Sequence, residues 1–186
     1  MGKVISLINT TPDGFADAGY GIIDEEYFEF IHRILSDTGT IAFGRNSFEL
    51  FQSIWPSRLE NGLTDWHKKM ARALADMPKT VYSTTLQTTT WTNSTIARKI
   101  DPDLIDSCRN ADTLGFLTLA SLNLVANLTA LNLIDEFYFC IQPLIAGKGD
   151  VRLFDNVKLE KTRALRYVDS KSLKSGVHIV HYERVN

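Results

Sequence analysis

Gly44-Arg45-Asn46-Ser47 stands where the apolar run Thr40-Ile41-Ala42-Phe43 gives way to Phe48, Leu50, Phe51 and Ile54 at helical spacing. The run is too short and too β-rich for a helix, so a strand hands over to a helix through a glycine, with an arginine at the junction. A helix start leaves backbone N–H groups without intrahelical acceptors and carries a partial positive charge, which suits an anion such as a phosphate. The same residues also fit a plainer account, a helix capped by Asn46 or Ser47 with Arg45 in solvent. Ser83-Thr84-Thr85 follows another apolar run, and Ser121 opens a further helix after Leu117-Thr118-Leu119. Two helix starts, an arginine and these hydroxyls have the chemistry of a pyrophosphate cradle. A charge-assisted bond to phosphate contributes roughly 1.5–3 kcal/mol, and a helix terminus roughly 0.3–1 kcal/mol more.

Other reactive residue types carry less. His178 and His181 are three apart on an expected strand, so they point to opposite faces and cannot share a metal. His32 and His67 stand alone on helices, and no metal site is expected. Asp135 and Glu136 are adjacent on a strand and diverge, which disfavours a paired-carboxylate site. Gly147-Lys148-Gly149 is too short for a phosphate loop and reads as turn geometry. Cys108 and Cys140 belong to no metal or redox motif and read as buried thiols.

Alternating strands and helices position these groups. Strands are expected over 3–9, 40–43, 79–83, 113–119 and 134–141, with a short threonine-rich one over 88–92. Two more, near 159–168 and 177–185, are joined as a hairpin through 169–176. Helices are expected over 25–36, from 48 onward, over 63–77, over 101–111 and over 121–131. Asp24 before Glu25 and Glu26 makes an N-cap and an acidic first turn. Pro12-Asp13-Gly14 marks a turn in the polar loop 10–21. This order predicts one α/β domain over 1–186, three layers deep, with a mixed, mostly parallel sheet closed by an antiparallel C-terminal hairpin. At 186 residues the chain is long enough for one sizeable core. A formal net charge of −2 gives no general drive toward nucleic acid or an anionic membrane, so any anion site is local. No stretch is long and apolar enough to span a bilayer, and the expected compartment is the cytoplasm.

The motifs, taken in order, resemble the dihydrofolate reductase superfamily, in the branch related to the reductase domain of bacterial riboflavin biosynthesis. "ISLINTTPDGFAD" is similar to the family's first strand and Asp-Gly-aromatic loop. "IAFGRNSFELF" resembles its strand-Gly-Arg-x-Ser/Thr-aromatic-Glu signature, and "KTVYST" its third strand. "LIDEFYFCIQPLIAGKGDVRLF" is similar to its Leu-Ile-Asp-Glu strand followed by Pro-x-x-x-Gly-x-Gly-x-x-Leu-Phe.

That resemblance implies an NADPH-dependent reductase of a small heterocyclic or carbonyl molecule, pterin- or pyrimidine-like. It assigns the cofactor phosphates to Gly44, Arg45, Asn46 and Ser47, and the adenosine with its 2′-phosphate to Ser83 and Thr84. The loop Asp13, Gly14, Phe15 and Ala16 falls where the backbone meets the nicotinamide. Ala120, Ser121 and Leu122 stand where the family usually has a glycine pair, or Gly-Ser, facing the pyrophosphate. A methyl group there narrows the approach that glycine permits. The alternative is therefore a paralogue that kept the fold and lost productive cofactor binding. A reduced substrate also needs a proton, for which Asp24 is the carboxylate best placed by position. Trp55 is a candidate wall of the substrate cleft. The family branch further implies a homodimer paired through the C-terminal sheet, where Phe137, Tyr138, Phe139, Tyr167 and Tyr182 supply aromatic surface.

Overall fold

The computed structural model describes residues 2–110, 115–155 and 157–185, apart from the side chains of residues 107, 108 and 110. Eight strands form one sheet: β1 (Val4–Thr10), β2 (Thr38–Gly44), β3 (Lys79–Tyr82), β4 (Ser94–Ala97), β5 (Gly115–Leu119), β6 (Glu136–Ile141), β7 (Leu165–Ser172) and β8 (His178–Arg184). Among the described residues five α-helices connect them: α1 (Glu25–Ser36), α2 (Arg45–Asn61), α3 (Asp65–Asp76), α4 (Pro102–Asn110) and α5 (Leu122–Ala130). The spatial order is β4-β3-β2-β5-β1-β6-β8-β7. Pairs from β4 through β6 are parallel, and β8 runs antiparallel to both β6 and β7.

Strand alternation sorts the core onto two faces. Ile5 and Leu7 pack with Phe28 and Ile31 of α1, Phe48 and Trp55 of α2, and Met70 and Leu74 of α3. Val4 and Ile8 face the other way, toward Ile105 of α4 and Leu124, Val125 and Leu128 of α5. The result is a three-layer α/β/α fold. Asp135 ties β1, α4 and β8 together, accepting from the Val4 backbone at 2.9 Å, Arg109 at 3.0 Å and Arg184 at 3.1 Å. Asp135 is thus structural here.

Three local expectations need correction. Residues 88–92 are not a strand: Trp91 is buried against Phe48 and under the Lys79 ammonium, and Asn93 turns the chain at φ 57° before β4 begins at Ser94. The hairpin has a shorter loop than expected, and its first strand starts and ends later in the chain. β7 runs to Ser172, and the turn closes where Leu173 N–H donates to Val177 O at 2.8 Å with Gly176 at φ 88°. β7 is an edge strand exposed along nearly all its length, so it lacks the apolar alternation that marks a strand in sequence. Lastly, Gly44 is the N-cap of α2, so Arg45, Asn46 and Ser47 form its first turn rather than a preceding loop. Cys140 is a free, buried thiol, and burial pushes its pKa up to about 12. The Cys108 side chain lies outside the described residues.

Candidate active site

β2 and β5 are neighbours in the sheet, yet α2 and α5 leave them toward opposite faces. Such a divergence opens a crevice at the carboxyl ends of the strands. Two hydrogen bonds stitch its base. Gly44 N–H donates to Ser121 Oγ at 3.0 Å, and the Ser47 hydroxyl donates to Ala120 O at 2.9 Å. Ser121 does not cap α5 with its side chain; its hydroxyl donates to Leu119 O at 3.1 Å instead. The N–H groups at the starts of α2 and α5 have no acceptor within their helices. Ala120 between these starts is exposed and held at φ 50°, the left-handed region that glycine occupies without cost.

Beside this helix rim, Arg45 donates to Thr85 Oγ1 at 3.1 Å and pairs loosely with Glu49 at 3.9 Å. The Ser83 hydroxyl accepts from Leu86 N at 2.9 Å and Thr85 N at 3.2 Å, which folds the 83–86 turn. Arg98 clamps the same turn through Ser83 O at 3.0 Å and Leu86 O at 2.6 Å.

The crevice widens into a cleft of about 1100 Å³. Its inner wall is aromatic and aliphatic, built by Tyr27, Phe28 and Ile31 from α1 and Leu50, Phe51, Ile54 and Trp55 from α2. Trp55 is nearly buried and meets Phe28 edge-on at 5.6 Å between ring centroids. At the end of β1, Asn9 Oδ1 accepts from the Tyr27 hydroxyl at 2.9 Å and from Gln142 Nε2 at 3.0 Å. Burial raises the Tyr27 pKa well above its ordinary value, so the phenol stays a donor.

The opposite rim is loop against loop. Asp13 accepts from Thr11 Oγ1 at 2.6 Å, Gly147 N at 2.7 Å and Ala146 N at 3.2 Å. These bonds, the Thr11 hydroxyl foremost, lower its pKa to about 2. Asp17 accepts from Asp150 N at 2.9 Å and Val151 N at 3.4 Å. Phe15 bridges antiparallel to Arg152, whose guanidinium lies 4.4 Å from the ring centroid. Gly149 packs so closely here that a Cβ would stand 2.4 Å from Asp17 Oδ2.

Gly44, Arg45, Asn46, Ser47, Ser83, Thr84, Ala120, Ser121, Leu122, Ala16 and Trp55 all line the cleft. Asp13, Gly14, Phe15 and Asp24 are not among its lining residues. Asp24 caps α1, accepting from Tyr27 N at 2.8 Å. Among the lining residues that sequence reasoning did not single out for the site are Asn9, Tyr27 and Arg98. Tyr27, Phe28 and Ile31 fall on one helical stripe, which could have marked Tyr27. Arg98 follows a strand whose position was misread, which hid it.

The family model described as the RibD C-terminal domain matches residues 3–179. The chain belongs to the RibD C-terminal domain family. Its fold is similar to that of a candidate riboflavin biosynthesis protein from Shewanella sp. PV-4, at 17% identity and TM-score 0.73, covering 99% of each chain. It is also similar to a pyrimidine reductase-like protein from Corynebacterium diphtheriae, at 12% identity and TM-score 0.67, covering 100% of this chain and 92% of that one. A dihydrofolate reductase from Enterococcus faecalis, complexed with NADP(H) and RAB-propyl, aligns at 10% identity and TM-score 0.62, covering 99% of this chain and 97% of that one. A comparison with curated proteins finds no match. Among the described residues no helix is long and apolar enough to cross a membrane.

Proposed function

We propose that the protein is an NADPH-dependent reductase of a small planar heterocyclic or carbonyl substrate. The observation that carries this reading is the crevice between α2 and α5, where two helix starts and Arg45 converge on one cleft with an aromatic inner wall. The donor set fits a dinucleotide. Arg45 and the N–H groups of Asn46, Ser47, Leu122 and Asn123 would hold the pyrophosphate, and the Thr84–Thr85 edge with Arg98 would hold the adenosine end. When bound, NADPH supplies a hydride. The chain's own part is to hold the substrate flat against the wall of Phe28, Phe51 and Trp55 and to keep water from that wall. In this reading Asp24 sets the start of α1, and with it Tyr27 and Phe28, rather than delivering a proton.

Calorimetric titration tests this directly. NADPH should bind at least about tenfold more tightly than NADH, since the extra phosphate adds a charge-assisted contact of roughly 1.5–3 kcal/mol. Equal, weak binding of both would defeat the reading. Ala120 favours a second one, a paralogue that binds substrate-like molecules without turnover, and complete absence of NADPH binding at millimolar concentration would establish it. We further propose a homodimer through the β7 edge, where Tyr167 and Val168 are exposed. An unpaired edge strand is a ready template for a second copy; a monomeric mass by light scattering at micromolar concentration would reject this.

A further inference from the structure

A chain of three hydrogen bonds fixes which way the Asn9 amide faces. Ile22 N–H can only donate, and it donates to Gln142 Oε1 at 2.8 Å. Gln142 therefore turns its amide nitrogen the other way, and Nε2 donates to Asn9 Oδ1 at 3.0 Å. The Tyr27 hydroxyl donates to the same oxygen at 2.9 Å. Asn9 Oδ1 is thus occupied by two donors, and its Nδ2 must point away from both. Nδ2 makes no hydrogen bond to any described residue, and it is absent from the buried polar atoms that lack a partner, so it retains accessible surface. Asn9 lines the cleft beside Leu7, Tyr27 and Phe28. The carboxylates along the cleft, Asp17, Asp150 and Asp155, belong to its loop rim.

We infer that Asn9 Nδ2 is a fixed hydrogen-bond donor that orients the substrate by a neutral acceptor, a carbonyl oxygen, with Gln142 and Tyr27 as the positioning residues that hold it. A carboxylate at this place would select a protonated, donor-rich ring; an amide nitrogen selects the opposite. Because the Tyr27 phenol and the Gln142 amide do not titrate in the working range, the donor keeps its orientation across that range. The inference rests on the reductase reading only for naming this cleft as the substrate site.

Two planar probes differing in one exocyclic group test it: isoquinolin-1-one, which offers a carbonyl, and 1-aminoisoquinoline, which in mildly acidic buffer is a cation offering only donors. Calorimetry on the intact protein should give isoquinolin-1-one a preference of about three- to tenfold, the size of one hydrogen bond. The Asn9 side-chain amide resonance should move on its addition. Asn9→Asp is isosteric and still accepts from Tyr27 and Gln142, so it should reverse the preference. Gln142→Met frees the amide to turn, and discrimination should fall toward unity, with a melting temperature lowered by several degrees for the lost Ile22 bond but a protein that stays folded. Equal affinity of the wild type for the two probes, no binding at millimolar concentration, or an unreversed preference in a folded Asn9→Asp variant would overturn the inference. Titrations with and without NADPH keep the two claims separate. Loss of cofactor binding with probe discrimination intact defeats the reductase reading alone, and NADPH binding without discrimination defeats the Asn9 assignment alone.

Discussion

The two rims of the cleft use backbone N–H groups in opposite ways. On the loop rim, the chain brings its own anions: Asp13 and Asp17 together accept from the amides of Ala146, Gly147, Asp150 and Val151. Those donors are satisfied, and the loops close on each other. On the helix rim, no side-chain acceptor among the described residues meets the first-turn N–H groups of α2 and α5. The side chains that could have capped them are turned elsewhere, Ser121 to Gly44 and Leu119, Ser47 to Ala120. Aligned backbone donors at a helix start attract negative charge. Where the protein supplies the anion, the rim is sealed. Where it does not, the donors are left for an external anion, which is the role the proposed function gives them.

The largest effect should come from breaking the open rim. Arg45 is the cation at its edge, half-exposed and held by Thr85 rather than by a strong ion pair. Arg45→Ala should weaken NADPH binding by about tenfold to hundredfold, the span of a charge-assisted hydrogen bond. The melting temperature should barely move, since an exposed pair at 3.9 Å contributes little. Calorimetry and a thermal melt on the same sample check both halves. Unchanged affinity would remove Arg45 from the site.

Ala120→Gly sharpens the same rim from the other side. At φ 50° the alanine methyl works against the backbone, at a cost of about 1–2 kcal/mol that glycine escapes. Glycine returns part of this through the unfolded chain, about 0.4–1 kcal/mol. The net is stabilisation of up to about 1.6 kcal/mol, or a rise of roughly 2–4 °C in melting temperature per kcal/mol for a chain of this size. NADPH affinity should rise about two- to tenfold as the backbone closes on the pyrophosphate. Sequence reasoning alone points to a small loss of stability at this position, because it does not contain φ; the structure reverses the sign.

That reversal marks what could be read from the residues alone. The strand-to-helix handover at Gly44, the two-sided core and the order of the motifs all follow from periodicity and residue type, which are local properties. Arg45, Ser47 and Ser121 were singled out because a helix start announces itself within a few residues. Asn9, Gln142 and Tyr27 were not. Their role depends on bringing positions far apart in the chain within hydrogen-bond reach, and no spacing rule carries that information. The edge strands β4 and β7 were misplaced for a related reason: strands exposed on a sheet's margin lack the apolar alternation by which strands are recognised.

The smallest effect belongs to the sealed rim, and it can be read by pH. Asp13 has its pKa lowered from 3.8 to about 2 by the Thr11 hydroxyl and the Gly147 and Ala146 amides. A carboxyl whose folded pKa is depressed contributes fully above its unfolded value and loses that contribution as the pH falls through the folded one. The Asp13 clasp should therefore be intact above about pH 4 and released near pH 2. Its carboxyl carbon, followed by NMR, should titrate with a midpoint near the lower value. Asp13→Asn should mimic release at neutral pH: the Gly147 amide should exchange faster with solvent, while the melting temperature stays within about 1–2 °C, as expected for a half-buried group outside the core. NADPH affinity should change by less than about threefold, because the sealed rim offers the cofactor no free donors. If Asp13→Asn instead weakened NADPH as much as Arg45→Ala, the two rims would be one site, and the loop clasp would be part of how the cofactor is held.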